Sequence, residues 1–140
     1  MSFRPPKTLP ILSIFHNAQC SKSRAALQLL LDKQKRPNED DAYKVDVVDY
    51  QQTPPTSDQL RQVAQYLEGN SVPAWRRMIR SEAQDKVHNW QEAQKLLLEQ
   101  PALLERPIVV DWEKGLAALG RPTLEAVEKL IQGRLKECKM

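Results

Sequence analysis

A chain of 140 residues with a formal net charge of +3 and two cysteines has the length of one domain and enough apolar residues for a real core. No apolar run approaches the ~20 residues of a membrane-spanning helix, and the basic residues alternate with acids, so neither a membrane protein nor a nucleic-acid binder is expected. Two cysteines make no disulfide framework, which favours a reducing, cytoplasmic setting. Residues 1–8, with two basic residues and two prolines, are expected to be a loose arm rather than a signal peptide.

The apolar run Pro10-Ile11-Leu12-Ser13-Ile14-Phe15 predicts a first strand over residues 9–15. His16-Asn17-Ala18-Gln19-Cys20 follows as a tight loop. A helix then runs from about Ser21 to Lys35, with Ala26, Leu27, Leu30 and Leu31 on one face. A cysteine there sits at the positive end of the helix, where unpaired backbone N–H groups favour thiolate over thiol. His16 and Arg24 add donors or positive charge beside it, so the stretch reads as a site for an activated cysteine.

Beyond the polar loop at Pro37, Tyr43 to Tyr50 is rich in β-formers, which completes a β-α-β start with parallel strands. Pro54-Pro55 closes that strand. Thr56, with Gln59 three residues on, predicts a capped helix through Leu60, Val63, Ala64 and Leu67. A short helix over Val72–Arg80 and another over Asn89–Gln100 follow, with no strand among them. Strand character returns at Pro107–Trp112, Lys114-Gly115 make a turn, and Leu116–Leu119 form the second strand of a hairpin. A last helix opens at Gly120-Arg121-Pro122-Thr123, Pro122 lying in its first turn, and is expected to fray beyond Gly133.

This order, βαβ, then helices over 54–104, then ββα, is that of an α/β, thioredoxin-like core with a helical insertion between the second and third strands, all within one domain spanning 1–140. Arg106-Pro107 is a candidate cis-proline bond in such a fold.

Four strings occur in order: His16-Asn17-x-x-Cys20-x-x-Ser23-Arg24, Thr53-Pro54-Pro55-Thr56, Glu105-Arg106-Pro107-Ile108-Val109-Val110 and Gly120-Arg121-Pro122. Together they resemble the glutaredoxin-dependent arsenate reductase family from about Leu9 to Ile131. The resemblance implies that Cys20 attacks arsenate and that His16 helps to activate it. Arg106 and Arg121 would be two of three arginines that hold the oxyanion. The third lies after a Ser-Val pair, here Ser71-Val72, which points to Arg77; Arg76 stays open as its alternative. Helical geometry sets those two about 100° apart, so one of them faces a site. Asn17, Ser23, Arg24 and Pro107 are supporting residues of the same motifs.

The chemistry suits the residues. Planar guanidinium groups give arsenate, a tetrahedral oxyanion, paired charge-assisted hydrogen bonds, and they offset the repulsion between anion and thiolate. The resemblance further implies glutathione as co-substrate and glutaredoxin as the partner that resolves the mixed disulfide, with no bound cofactor and a monomer as the default. Two departures stand out: Ala18 replaces a proline usual after the His-Asn pair, and the hairpin before Gly120 is slightly longer than usual.

Other readings compete. A thioredoxin-like redox or protein-binding regulatory module without arsenate activity is the alternative, but its usual Cys-x-x-Cys switch is missing, since Ser23 holds the second place. A cysteine-dependent phosphatase would need arginine where Ala26 stands. His88 and Trp90 have no partners at metal-ligand spacing, so no metal is expected. Trp75 and Trp112 read as packing residues. Cys138, near the basic C-terminal end, reads as an exposed thiol, with a resolving role toward Cys20 as the lesser alternative.

Overall fold

The computed structural model describes residues 9–35, 41–67, 73–120 and 123–137. Strand β1 (Ile11–Phe15) leads into helix α1 (Ser21–Gln34) and strand β2 (Lys44–Val48). Helices α2 (Ser57–Tyr66), α3 (Ala74–Arg77) and α4 (Trp90–Glu99) follow, with 3₁₀ turns at Ser81–Lys86 and Pro101–Leu103. Strands β3 (Ile108–Asp111) and β4 (Leu116–Leu119) and helix α5 (Glu125–Glu137) complete the chain.

The sheet order is β2-β1-β3-β4. β1 and β2 are parallel, joined through α1, whereas β3 runs antiparallel to both β1 and β4. Helices connect the two halves, as the residue pattern predicts, and the fold is the thioredoxin-like one.

Alternation along the strands divides the core. Leu12, Ile14 and Val109 pack with Ala26 and Leu30 of α1 and Val127 and Ile131 of α5. Phe15, Ile108 and Val110 face the other way, onto Leu60, Val63, Met78, Ile79, Leu97 and Leu104 of the helical insertion. With both faces covered, all four residues of β3 are buried. Trp75, Trp90 and Trp112 pack partly buried against this second cluster, and Trp112 meets Tyr66 edge to face with ring centroids 6.0 Å apart.

Local chemistry sets the insertion's boundaries. Thr56 Oγ1 accepts the Gln59 N–H at 3.1 Å while Gln59 Oε1 accepts the Thr56 N–H at 3.0 Å, a reciprocal cap that starts α2. Asn89 Oδ1 accepts the Glu92 N–H at 2.9 Å and starts α4. The helix expected to reach Arg80 is shorter. After α3 the chain turns outward into an antiparallel bridge between Ile79 and Leu104, with Arg80 N–H donating to Leu103 O at 2.9 Å and Glu105 N–H to Met78 O at 2.7 Å. That pairing joins residues far apart in sequence and outweighs local helical preference.

The last helix differs at both ends. α5 begins at Glu125, while Arg121 and Pro122 lie outside the described residues, as does the arm at 1–8. It also continues past Gly133 to Glu137 instead of fraying there. Arg134 explains this: its Nε and Nη2 each donate to the fully buried Asp111 carboxylate at 3.0 Å, and Nη1 donates to Glu113 at 3.1 Å. Lys114 Nζ also donates to Gly133 O at 2.9 Å. A buried charge paired in this way holds the turn that carries it.

The hairpin turn is where Lys114-Gly115 predicts it. Gly115 has φ +68°, the left-handed conformation that glycine adopts without steric cost, and its N–H donates to Asp111 O at 2.9 Å.

Candidate functional site

The loop between β1 and α1 is built around Asn17. Its N–H donates to Ser23 Oγ at 2.9 Å, its side-chain Oδ1 accepts the Gln19 N–H at 2.9 Å, and its carbonyl accepts the Cys20 N–H at 3.0 Å. His16 N–H donates to Val48 O at 2.9 Å, which fastens the loop to the end of β2. Arg24 Nη1 donates to Ala18 O at 2.9 Å and so braces the loop from the first turn of α1. Ala18, which stands where a proline is usual, thus takes part through its carbonyl.

Cys20 is 8% exposed and occupies the N-cap position of α1, with extended dihedrals φ −95° and ψ 123°. Its carbonyl accepts the Arg24 N–H at 3.0 Å, the first bond of the helix. The first turn of α1 carries no acidic residue. Sulfur at this end of a helix is where a negative charge is favoured.

Ser23 is fully buried beneath the loop, and its Oγ lies 2.7 Å from His16 Nδ1. Because the same oxygen accepts the Asn17 N–H, the serine proton is available to Nδ1, which suits a neutral imidazole. Burial lowers the His16 pKa from its usual value; Ser23 and the Asp49 charge act the other way, and Arg24 lowers it further.

The sheet register then shows what flanks the loop. Phe15 pairs with Val48 on one side and with Ile108 on the other. Stepping beyond those pairs, the start of the loop is flanked by Asp49-Tyr50 on one side and by Arg106-Pro107 on the other. The Arg106–Pro107 bond is cis. Gly120 N–H donates to Pro107 O at 2.9 Å, and a Cβ at Gly120 would run into the proline ring. Arg106 Nη1 reaches Ala102 O at 3.3 Å, and its N–H donates to Glu105 Oε1 at 3.2 Å.

The two arginines read from the Ser-Val spacing are engaged inside the insertion. Arg77 Nη1 donates to Leu67 O at 2.7 Å, just beyond the last turn of α2, and Arg76 Nη2 stands 3.6 Å from the exposed Asp85 carboxylate. Arg80 is the arginine that the Ile79–Leu104 bridge carries alongside the segment leading into Arg106. Its Nε pairs with Glu82, and it also feels the charge of Glu105 and the phenol of Tyr50. Arg80 Nη1 and Tyr50 Oη are buried with no hydrogen-bond partner among the described residues, and Tyr50 is fully buried. The bridge that places Arg80 joins residues far apart in the chain, so its position is not readable from residue spacing.

Arg121 and Cys138 lie outside the described residues. His88 Nδ1 meets Glu92 Oε1 at 3.1 Å on the surface of α4. Among the described residues no group of three or more His, Cys, Asp or Glu side chains is arranged to hold a metal ion, and no helix is long and apolar enough to cross a membrane.

A β2-β1-β3-β4 sheet flanked by helices, with a buried cysteine at the N-cap of the helix that follows β1, is the arrangement of a thioredoxin-like protein. Residues 3–120 match the family described as a protein of unknown function, DUF1687, and the chain belongs to that family, within the ArsC-type arsenate reductase group. It is 36% identical over 128 residues to an arsenate reductase of Neisseria meningitidis, a match that covers 88% of this chain and 100% of that one. It is 31% identical over 125 residues to an uncharacterized Escherichia coli protein, YfgD, over 84% of this chain and 94% of that one. A solved arsenate reductase structure from Vibrio cholerae superposes with a TM-score of 0.66 at 29% identity, covering 86% of this chain and 98% of the other.

Proposed function

We propose that the chain reduces arsenate to arsenite through Cys20, with glutathione and glutaredoxin supplying the electrons. The observation that carries this reading is the position of Cys20, capping α1 in a loop whose start is flanked in the sheet by Arg106 and cis-Pro107. The arsenate reductases among its relatives support the choice of substrate.

In this reading the Cys20 thiolate attacks arsenic(V), forming an S–As bond while one oxygen leaves as water. Glutathione then attacks the adduct. Arsenic takes up two electrons and leaves as arsenite, and the two sulfurs become the mixed disulfide of Cys20 and glutathione. Glutaredoxin exchanges onto that disulfide and returns Cys20 as a thiol. The N-terminus of α1 favours the thiolate, and His16, held as a neutral imidazole through Ser23, serves as the base that takes the thiol proton.

Arg106 and Arg121 hold the oxyanion. We assign the third place to Arg80 rather than Arg77, because Arg80 is bonded to the carboxylate of Glu82 on which the Arg106 charge also acts and keeps a buried Nη1 without a partner among the described residues, whereas Arg77 Nη1 is taken by Leu67 O. Guanidinium donors give the oxyanion bidentate bonds and offset its repulsion by the thiolate.

The test is arsenate-dependent NADPH oxidation in the presence of glutathione, glutaredoxin and glutathione reductase, comparing wild type with Cys20→Ser, Arg106→Ala and Arg80→Ala. Turnover in the wild type that is lost in Cys20→Ser and falls at least tenfold in both arginine variants is expected. A folded wild type that consumes no NADPH would overturn the reading.

A further inference from the structure

One arginine of the proposed anion site already holds a carboxylate, and the charge of a second acts on it. Arg80 Nε is bonded to Glu82, which lies two residues on, at the start of the 3₁₀ turn Ser81–Lys86. Arg106, on the neighbouring segment, is close enough for its charge to act on the same carboxylate. A carboxylate and a tetrahedral oxyanion ask the same thing of a guanidinium group, namely parallel N–H donors to two oxygens. Glu82 therefore offers Arg80 the kind of partner that the substrate would offer.

Three features separate this pair from a structural ion pair. The Glu82 side chain is 55% exposed while that of Arg80 is 24% exposed, so the acid can swing into solvent and leave the arginine in place. Arg80 is anchored through its backbone to Leu103 O, independently of Glu82. Its Nη1, buried with no partner among the described residues, retains donor capacity that Glu82 does not use. By contrast Arg134 has all three guanidinium nitrogens engaged by Asp111 and Glu113.

We infer that Glu82 is a resident counter-ion of the oxyanion site, which arsenate must displace from Arg80 and which thereby sets the affinity and selectivity of the site. This rests on the arsenate reading above. A weakly charged or monoanionic ligand competes poorly with a carboxylate tethered two residues away, whereas a dianion that engages several arginines at once displaces it. The acid thus filters against chloride, acetate and similar anions.

The experiment measures the arsenate concentration that half-protects Cys20 from alkylation by iodoacetamide, read at the Cys20 peptide by mass spectrometry, on the full chain. Wild type, Glu82→Gln and Arg106→Ala are compared. Removing an exposed competitor of this kind is expected to lower the half-protecting concentration about two- to five-fold in Glu82→Gln, the range of exposed ion-pair strengths. Protection by acetate is expected to strengthen in the same variant. A half-protecting concentration that is unchanged or higher in Glu82→Gln overturns the inference, since the acid is then a bystander or a support for Arg80. If arsenate protects Arg106→Ala as well as it protects wild type, the anion site itself is wrong and both readings fall. A gain of affinity is a result that structural damage would not produce.

Discussion

Ser23 Oγ, fully buried, lies 2.7 Å from His16 Nδ1 and joins the first turn of α1 to the loop before it. The same oxygen takes the Asn17 N–H at 2.9 Å, so one hydroxyl organises both residues of the His-Asn pair. Replacing it by Ser23→Ala leaves a part-buried backbone donor and an imidazole nitrogen without that partner, at a cost of about 1–3 kcal/mol. The expected result is a lowered melting temperature together with an altered pH profile of Cys20 alkylation. A variant with wild-type stability and wild-type thiol reactivity would show that the serine is incidental.

His16 carries a pH dependence whose sign follows from burial. Its pKa in the folded protein is depressed, chiefly because burial disfavours the imidazolium. The unfolded chain has an ordinary histidine near 6.5 and therefore binds the proton first as pH falls. The His16 contribution to stability is full above about pH 6.5 and declines as pH falls from there toward the lower folded value. Denaturant unfolding between pH 5 and 8 of wild type and His16→Gln should show a wild-type advantage that grows as pH rises to about 6.5 and is flat above it. A wild-type advantage over His16→Gln that shrinks as pH rises through that window would contradict the assignment.

How far the sequence carries the fold depends on whether the signals are local. The cap at Thr56 and Gln59, the turn at Gly115 and the cysteine at the start of α1 are written within a few residues, and the structure has each of them. What local pattern misses is set by partners distant in the chain. Arg80 reads as the last turn of a helix until Ile79 is paired with Leu104, and the end of α5 reads as frayed until Arg134 meets Asp111. In the site itself, the loop around Cys20 is legible because the hydrogen bonds of Asn17, Ser23 and Arg24 that shape it stay within residues 16–24. The placing of Arg80 is not legible in the same way, because it depends on the pairing of Ile79 with Leu104, residues distant in the chain.

Tyr50 adds a prediction about strain near the site. Its phenol is buried without a hydrogen-bond partner among the described residues, close enough to Arg80 to act on its charge. Tyr50→Phe keeps the packing and removes the orphaned hydroxyl. It is expected to keep or raise stability, by about 1 kcal/mol at most, as read from denaturant midpoints. A clear loss of stability would mean that the hydroxyl is satisfied in solution.

Gly120 links the hairpin to the cis-proline. Its N–H donates to Pro107 O at 2.9 Å, and an added Cβ would meet the Pro107 ring and, at 3.2 Å, Leu124 Cδ2. The proline ring has little freedom to retreat, because Ile108 beside it is fully buried in the sheet. Gly120→Ala should therefore cost about 1–3 kcal/mol, as overpacking does, and displace the backbone next to Arg106. In the coupled arsenate assay the expected signature is a raised KM for arsenate in protein that still folds, while Gly133→Ala, where an added Cβ meets nothing within 4 Å, serves as the control.

The Arg134–Asp111 pair yields the largest expected stability effect. Asp111 is fully buried on β3 and Arg134 is 3% exposed on α5, so removing the arginine strands a carboxylate in the core. Arg134→Met is expected to cost about 3–5 kcal/mol, the usual range when one partner of a buried pair is lost. Much of that should return in the double variant Arg134→Met with Asp111→Leu, because an apolar pair of similar volume needs no compensation for lost solvation. Denaturant unfolding of the four proteins of this cycle measures the coupling. If the single and double variants are equally destabilised, the pair acts through packing rather than charge, and the extension of α5 past Gly133 needs another cause. If Arg134→Met is harmless, the helix does not depend on the pair at all, and the fraying that the sequence suggests should appear as rapid amide exchange beyond Gly133.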